Sequence, residues 1–189
     1  DLVDVSAWFD VNLPDRTNIR YIQDLAGGST MDLGCYSLHF ARSIAGEEPE
    51  VVSATFRPST DPRLDEALTA EVRFPSGVTG TISSSLLEEV ERQSATITGT
   101  RGVIQVEGFV KPQEGCSLTL TVDGETTAID VAEQPSSYAR QLEVFVAAVR
   151  DVIDGLVLLA RDDFALVDKA LDVLDAPHAA YSKPKGEDR

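Results

Sequence analysis

Ser94-Ala95-Thr96-Ile97-Thr98-Gly99-Thr100-Arg101-Gly102-Val103-Ile104-Gln105-Val106 reads as two strands joined by a turn. β-Branched residues fill both arms, and Thr100-Arg101-Gly102 is a turn signal between them, so the arms pair antiparallel. The pattern continues in both directions. Short strands are predicted over 50–58, 66–75, 78–86, 92–99, 102–107, 117–122 and 126–131, with Ser76-Gly77 and Asp123-Gly124 as further turns. One large, mostly antiparallel sheet follows.

Outside this meander the period changes. Residues 2–11 alternate and carry Val, Trp and Phe, which predicts one more strand. Asn12 to Gly28 has no regular period and reads as a long loop, a length that often carries function. A helix is predicted from about Ser29 to Ala45, with Gly46 as its stop. Apolar residues at helical spacing predict a second helix over 136–154, capped by Ser136 or Ser137, and a third over 161–174. The expected class is α+β, with helices on one face of the sheet. Residues 1–182 are read as one domain and 183–189 as a flexible polar tail.

Charge and composition narrow the function. The 189 residues hold 16 Lys and Arg against 32 Asp and Glu, a net charge of −16. Cations scattered among twice as many carboxylates argue against nucleic acid, which needs clustered Lys and Arg. The most apolar run, Leu156 to Ala160, is far short of the roughly 20 residues that cross a bilayer. Cys35 and Cys116 form no disulfide framework, so a reducing, cytoplasmic compartment is expected. No G-x-G-x-x-G, P-loop, His-Glu-x-x-His or Cys-x-x-Cys pattern occurs. His39 and His178 are the only histidines, the latter read as surface, and no metal site is expected. The chain opens at Asp1 directly inside a strand pattern, which reads as part of a longer protein.

Gly27-Gly28-Ser29-Thr30-Met31-Asp32-Leu33-Gly34-Cys35-Tyr36-Ser37-Leu38-His39-Phe40-Ala41-Arg42 carries the functional information. Asp32, Tyr36, His39 and Ser43 are spaced i, i+4 and i, i+3, which lines them along one helix face. Leu33, Leu38, Phe40, Ala41 and Ile44 point elsewhere, toward a core. Two accounts of the stripe are open. Asp32 caps the helix while Tyr36 and His39 are satisfied at a domain edge, or the carboxylate, phenol and imidazole are put to chemical use.

Asp32-Leu33-Gly34-Cys35-Tyr36, after a Gly-Gly turn, resembles the signature of the C-terminal domain of the glucose–fructose oxidoreductase/inositol dehydrogenase family (Gfo/Idh/MocA). The Tyr variant is similar to its glucose–fructose oxidoreductase, aldose dehydrogenase and dihydrodiol dehydrogenase branch. Asn18-Ile19-Arg20-Tyr21, Gly46-Glu47-Glu48-Pro49, Gly99-Thr100-Arg101-Gly102 and Tyr138-Ala139-Arg140-Gln141-Leu142-Glu143-Val144-Phe145 extend the likeness over nearly the whole chain. The resemblance implies a glyceraldehyde-3-phosphate dehydrogenase-like C-terminal domain, and an NAD or NADP cofactor bound mainly by an N-terminal Rossmann domain. That domain, with its lysine from a Glu-Lys-Pro motif, does not occur in this sequence.

By that resemblance Tyr36 and Asp32 are the catalytic candidates and His39 and Arg20 the substrate contacts, with hydride passing between nicotinamide and a sugar, polyol or diol. Tyr36 moves the substrate hydroxyl proton, or it orients the oxygen while the family's lysine carries the proton. Arg20 and Arg16 reach substrate or cofactor phosphate, or they anchor the loop. The sheet's uncovered face, with apolar residues available on both sides of its strands, implies a homodimer or homotetramer. A stand-alone, non-catalytic binding or dimerisation module is the alternative.

Overall fold

The computed structural model describes residues 1–130 and 136–159. It divides into two compact units, residues 1–134 and 135–189. In the first, β1 (Leu2–Asn12) is followed by a loop with two 3₁₀ turns (Ile19–Tyr21 and Gln23–Leu25). A π-helical turn (Thr30–Gly34) then leads into α1 (Cys35–Ala45). Seven strands follow: β2 (Glu50–Pro58), β3 (Asp65–Arg73), β4 (Thr79–Ser85), β5 (Leu87–Gly99), β6 (Gly102–Glu107), β7 (Ser117–Val122) and β8 (Glu125–Ile129). In the second unit α2 runs Ser137–Leu159, its start capped where the Ala139 N–H donates to Ser136 Oγ at 3.1 Å. The helix expected over 161–174, the boundary at 182, the tail and His178 lie outside the described residues.

The expected fold class is observed. All eight strands form one sheet in the order β2-β3-β4-β1-β5-β6-β7-β8. Neighbouring meander strands pair antiparallel, as the turns between them dictate. β1 inserts between β4 and β5, antiparallel to β5 and parallel to β4. That single parallel pair joins segments about seventy residues apart in sequence, beyond the reach of any local signal.

The two faces of the sheet differ. Val5, Ala7 and Phe9 of β1 share one face with Ile82, Ala95 and Val106, and these side chains are buried. α1 lies on that face. Ser37 and Ala41 are fully buried and Leu33 nearly so, while Leu38 and Ile44 are exposed. Leu33, Ala41 and Phe40, which packs on the core, face inward as expected, whereas Leu38 and Ile44 do not. Small residues turn inward because the helix backbone lies close to the strands: a Cβ on Gly34 would meet Ser84 Oγ at 3.1 Å. Ser37 Oγ donates to the Ser83 carbonyl at 3.1 Å, so the contact is hydrogen-bonded as well as packed. Gly46 ends the helix at φ 70°, its N–H donating to the Arg42 carbonyl at 2.8 Å.

The opposite face is mostly polar, with fewer apolar residues than expected, Val103 of β6 beside Thr98 being one of them. β4 presents Thr79, Thr81, Ser83 and Ser85 there, beside Asp4, Ser6, Trp8 and Asp10 of β1 and Arg92, Ser94, Thr96 and Thr98 of β5. Hydroxyls and carboxylates pair along and across strands: Ser6 Oγ of the same strand and Thr79 Oγ1 of β4 each donate to Asp4 at 2.7 Å. Trp8, the one aromatic side chain of β1 on this face, stacks under the Arg92 guanidinium at 4.3 Å. Burial raises the Asp10 carboxyl above its usual range, against the attraction of Arg92.

Because Ala41 has no free surface, Ala41→Leu forces α1 off the sheet. The expected cost is about 1–3 kcal/mol, seen as a melting-temperature fall of about 2–4 °C per kcal/mol in a chain of this size. Ile44→Ala, at an exposed position of the same helix, should change stability far less.

Candidate active site

Asp32 and Tyr36 stand where the carboxyl ends of β1 and β4 meet the start of α1. Phe9, near the end of β1, meets the Tyr36 ring edge-on with centroids 5.6 Å apart and planes at 76°. That contact holds the ring while leaving 47% of the residue's surface open. Asp32 belongs to the π turn, four residues earlier. Bonds of the i→i+5 kind nearly complete a turn in four residues, so Asp32 and Tyr36 stay on one side of the chain although the helix is not α there. His39 follows three residues after Tyr36 and is exposed.

Arg20 joins them from the loop. Its Nε donates to Asp32 Oδ2, and its backbone N–H donates to Asn18 Oδ1 at 3.1 Å. The structure therefore brings together Asp32 and Arg20, two residues that sequence spacing left apart. Arg16 has another task. Its guanidinium pairs with the buried Glu66 carboxylate and covers the Tyr21 ring at 4.7 Å. Tyr21 Oη in turn donates to the Leu13 carbonyl at 2.8 Å. Of the two readings open for Arg16, loop anchoring is the one observed. Burial pushes the Tyr21 hydroxyl pKa up, with Arg16 opposing.

Asp65, which the sequence reading did not select, caps the helix start. Its Oδ2 accepts from Thr30 N–H and Thr30 Oγ1, each at 2.9 Å, and from Ser29 Oγ. The capping role open for Asp32 thus falls to a residue on β3. The sequence signal available was the leading Asp of a strand, too common to single out. Burial pushes the Cys35 thiol up, and the nearby Asp32 charge adds to the effect.

The Gly27-Gly28 turn does not suit a phosphate. A Cβ on Gly27 would lie 2.5 Å from the Arg20 carbonyl oxygen, and one on Gly28 (φ 106°) 2.7 Å from Asp65 Oδ1. The glycines admit the chain's own backbone and a carboxylate, which would repel a diphosphate. The nicotinamide dinucleotide implied by the resemblance does not fit the described residues at this turn. An apolar groove of about 570 Å³, lined by Leu2, Ile97, Ile104, Leu120 and others, lies at the far end of β1. Leu2 and Phe9 are separated by seven strand residues, roughly 23 Å. Among the described residues no group of three or more His, Cys, Asp or Glu could hold a metal ion, and no helix is long and apolar enough to cross a membrane.

Residues 1–105 match the model of the GFO/IDH/MocA C-terminal domain. The chain is 33% identical over 151 residues to D-xylose 1-dehydrogenase (NADP(+)) 2 of Haloferax volcanii, covering 78% of this chain and 46% of that protein. It is 31% identical over 111 residues to trans-1,2-dihydrobenzene-1,2-diol dehydrogenase of Xenopus laevis, covering 58% and 32%. Among solved structures, it resembles the aldose-aldose oxidoreductase of Caulobacter crescentus with TM-score 0.66 and 26% identity, over 95% of this chain and 52% of that one. A 3-ketoreductase of Actinomadura kijaniata, solved with NADP and TDP-benzene, gives TM-score 0.67 at 19% identity over 80% and 46%, a likeness of fold. The chain thus spans less than half the length of these curated relatives.

The Arg20–Asp32 pair is partly exposed, with side-chain exposures of 39% and 26%. Pairs of that kind contribute about 0–1 kcal/mol. Arg20→Gln and Asp32→Asn should each lower the melting temperature of this chain by no more than about 4 °C. A larger loss would make the pair a structural support and end its candidacy as a site.

Proposed function

This chain belongs to the GFO/IDH/MocA family, and from that premise we propose that it is the substrate-binding half of an NAD(P)-dependent oxidoreductase acting on a CH–OH group of a sugar, polyol or diol. One observation carries the reading. A half-exposed phenol, steadied by Phe9, shares one helix side with a carboxylate whose position is set by Arg20. The dinucleotide would be held outside the described residues, and it would supply hydride acceptance and donation. Exposed Ile19, Leu25 and Met31 on the loop and π turn support a second body covering the site.

The chemistry assigned to this chain is proton handling and orientation. When a hydroxyl carbon gives up hydride, the hydroxyl proton must leave. Tyr36 Oη takes it, or orients the oxygen while another base does so. A free phenol, with pKa about 10, is a weak base at neutral pH and needs a neighbouring cation to favour its phenolate. Asp32, with one oxygen engaged by Arg20, keeps lone pairs for a substrate hydroxyl. Arg20 has guanidinium donors beyond those used for Asp32, and His39 offers an exposed imidazole one turn on. The free thiols Cys35 and Cys116 agree with a reducing, cytoplasmic location.

The complete reading frame, assayed with NAD⁺ and NADP⁺ against aldoses, polyols and vicinal diols, tests the reading. Turnover of at least one is expected, and none at all would overturn it. Tyr36→Phe keeps the ring on Phe9 and removes only the hydroxyl. It should lower kcat/KM about 10²–10⁴-fold with little change in melting temperature, and unchanged turnover would end the catalytic assignment.

We also infer that two copies meet through the polar sheet face. Ser6, Asp10, Ser85 and Ser94 are already shielded there, and Trp8 with Arg92 offers an aromatic and a cation suited to an interface centre. Light scattering at micromolar concentration should report a dimer or a tetramer, and Trp8→Glu should shift it to monomer. A monomeric wild-type protein would refute the inference.

A further inference from the structure

We propose that Asp65 and Glu66, adjacent at the head of β3, are positioning residues that set the geometry between Arg20 and the Asp32–Tyr36 helix side. The functional consequence rests on the oxidoreductase reading above; the mechanical claim does not.

The two carboxylates hold different segments. Asp65 takes three donors from the start of the helical segment: Thr30 N–H, Thr30 Oγ1 and Ser29 Oγ. Ser29 is fully buried and has one hydroxyl proton, which the Asp65 carboxylate claims. Ser84 Oγ, 3.1 Å away, then donates to Ser29 Oγ, so the chain of hydrogen bonds has one direction. Ser29 makes no capping bond within its own helical turn, so the N-terminal N–H at Thr30 depends on a residue 35 positions away. Gly28 leaves the space that Asp65 occupies.

Glu66 is only 5% exposed and pairs with Arg16, while Arg57 Nε approaches its other oxygen at 3.7 Å. Arg16 covers Tyr21, the neighbour of Arg20, and Tyr21 ties back to Leu13. One backbone peptide therefore links the support of the loop to the support of the helix start. The distance between Arg20 and Asp32 is set from β3. A carboxylate is suited to this because it accepts several donors at once, whereas Asn would offer one oxygen and add two N–H groups. Loss of either support shifts reacting groups by fractions of an ångström, and misplacement of about 1 Å can cost about 10²-fold in rate.

Asp65→Asn, the milder Ser29→Ala, Glu66→Gln and the control Val72→Ala separate positioning from stability. Val72 is a buried core residue of β3, at the other end of the strand from Asp65. Amide hydrogen exchange on this chain should quicken about tenfold over residues 29–36 in Asp65→Asn, less in Ser29→Ala, and over 16–22 in Glu66→Gln. Val72→Ala should lower the melting temperature without that local signature. In the complete enzyme, Asp65→Asn and Glu66→Gln should lower kcat about 10–100-fold with KM within a few-fold, while Val72→Ala keeps kcat. Exchange over 29–36 no faster in Asp65→Asn than in Val72→Ala overturns the proposal. Faster exchange with unchanged kcat in an active enzyme overturns the functional part. A wild-type enzyme inactive on every substrate overturns the oxidoreductase reading, and the exchange data still decide the mechanical one.

Discussion

The close approach of the helical segment to the sheet is the constraint on which the rest depends. Gly34, Ser37 and Ala41 let the backbone of α1 and its π turn come within side-chain hydrogen-bond reach of β4. At that distance the buried Ser29 and Ser84 join the partly buried Asp65 in one polar chain, and buried polar groups hold only when satisfied. The π turn lies in the same stretch. It carries Asp32 past the end of β1 while α1 keeps its small residues against the sheet. Tyr36 then stands against Phe9 without needing a hydrogen bond to hold its ring.

The sheet separates two kinds of work. Its apolar face takes the helix and builds the core around Val5, Val72, Phe74 and Ile82. Its other face is a lattice of Ser, Thr and charged side chains that satisfy one another along and across strands. Such a face tolerates water and also suits a wet interface, where hydrogen bonds and bridging waters replace an apolar seal. Association through it would owe more to complementarity than to apolar area.

Charge is distributed with similar economy around the site. Arg16 and Arg57 serve Glu66, Arg20 serves Asp32, and Asp65 serves the helix start. The paired groups leave the site close to neutral, in a chain whose net charge is −16.

Sequence alone determined the strands, the turns between them, the Gly46 stop and the Asp32–Tyr36 motif, because each rests on neighbouring residues. Side-chain alternation, Asp123-Gly124 and the spacing of four between Asp32 and Tyr36 are local features. Tertiary structure decided what couples distant segments. β1 lies parallel to β4 across about seventy residues of chain; Arg20 comes to Asp32 through a loop without periodicity; Asp65 caps a helix start 35 residues upstream. It also chose which side of α1 faces inward. Leu38 and Ile44 carry more apolar surface than Ser37 and Ala41, but only the small side chains allow the backbone to approach the sheet. Burial there follows from the space between the elements, and no single segment encodes that space.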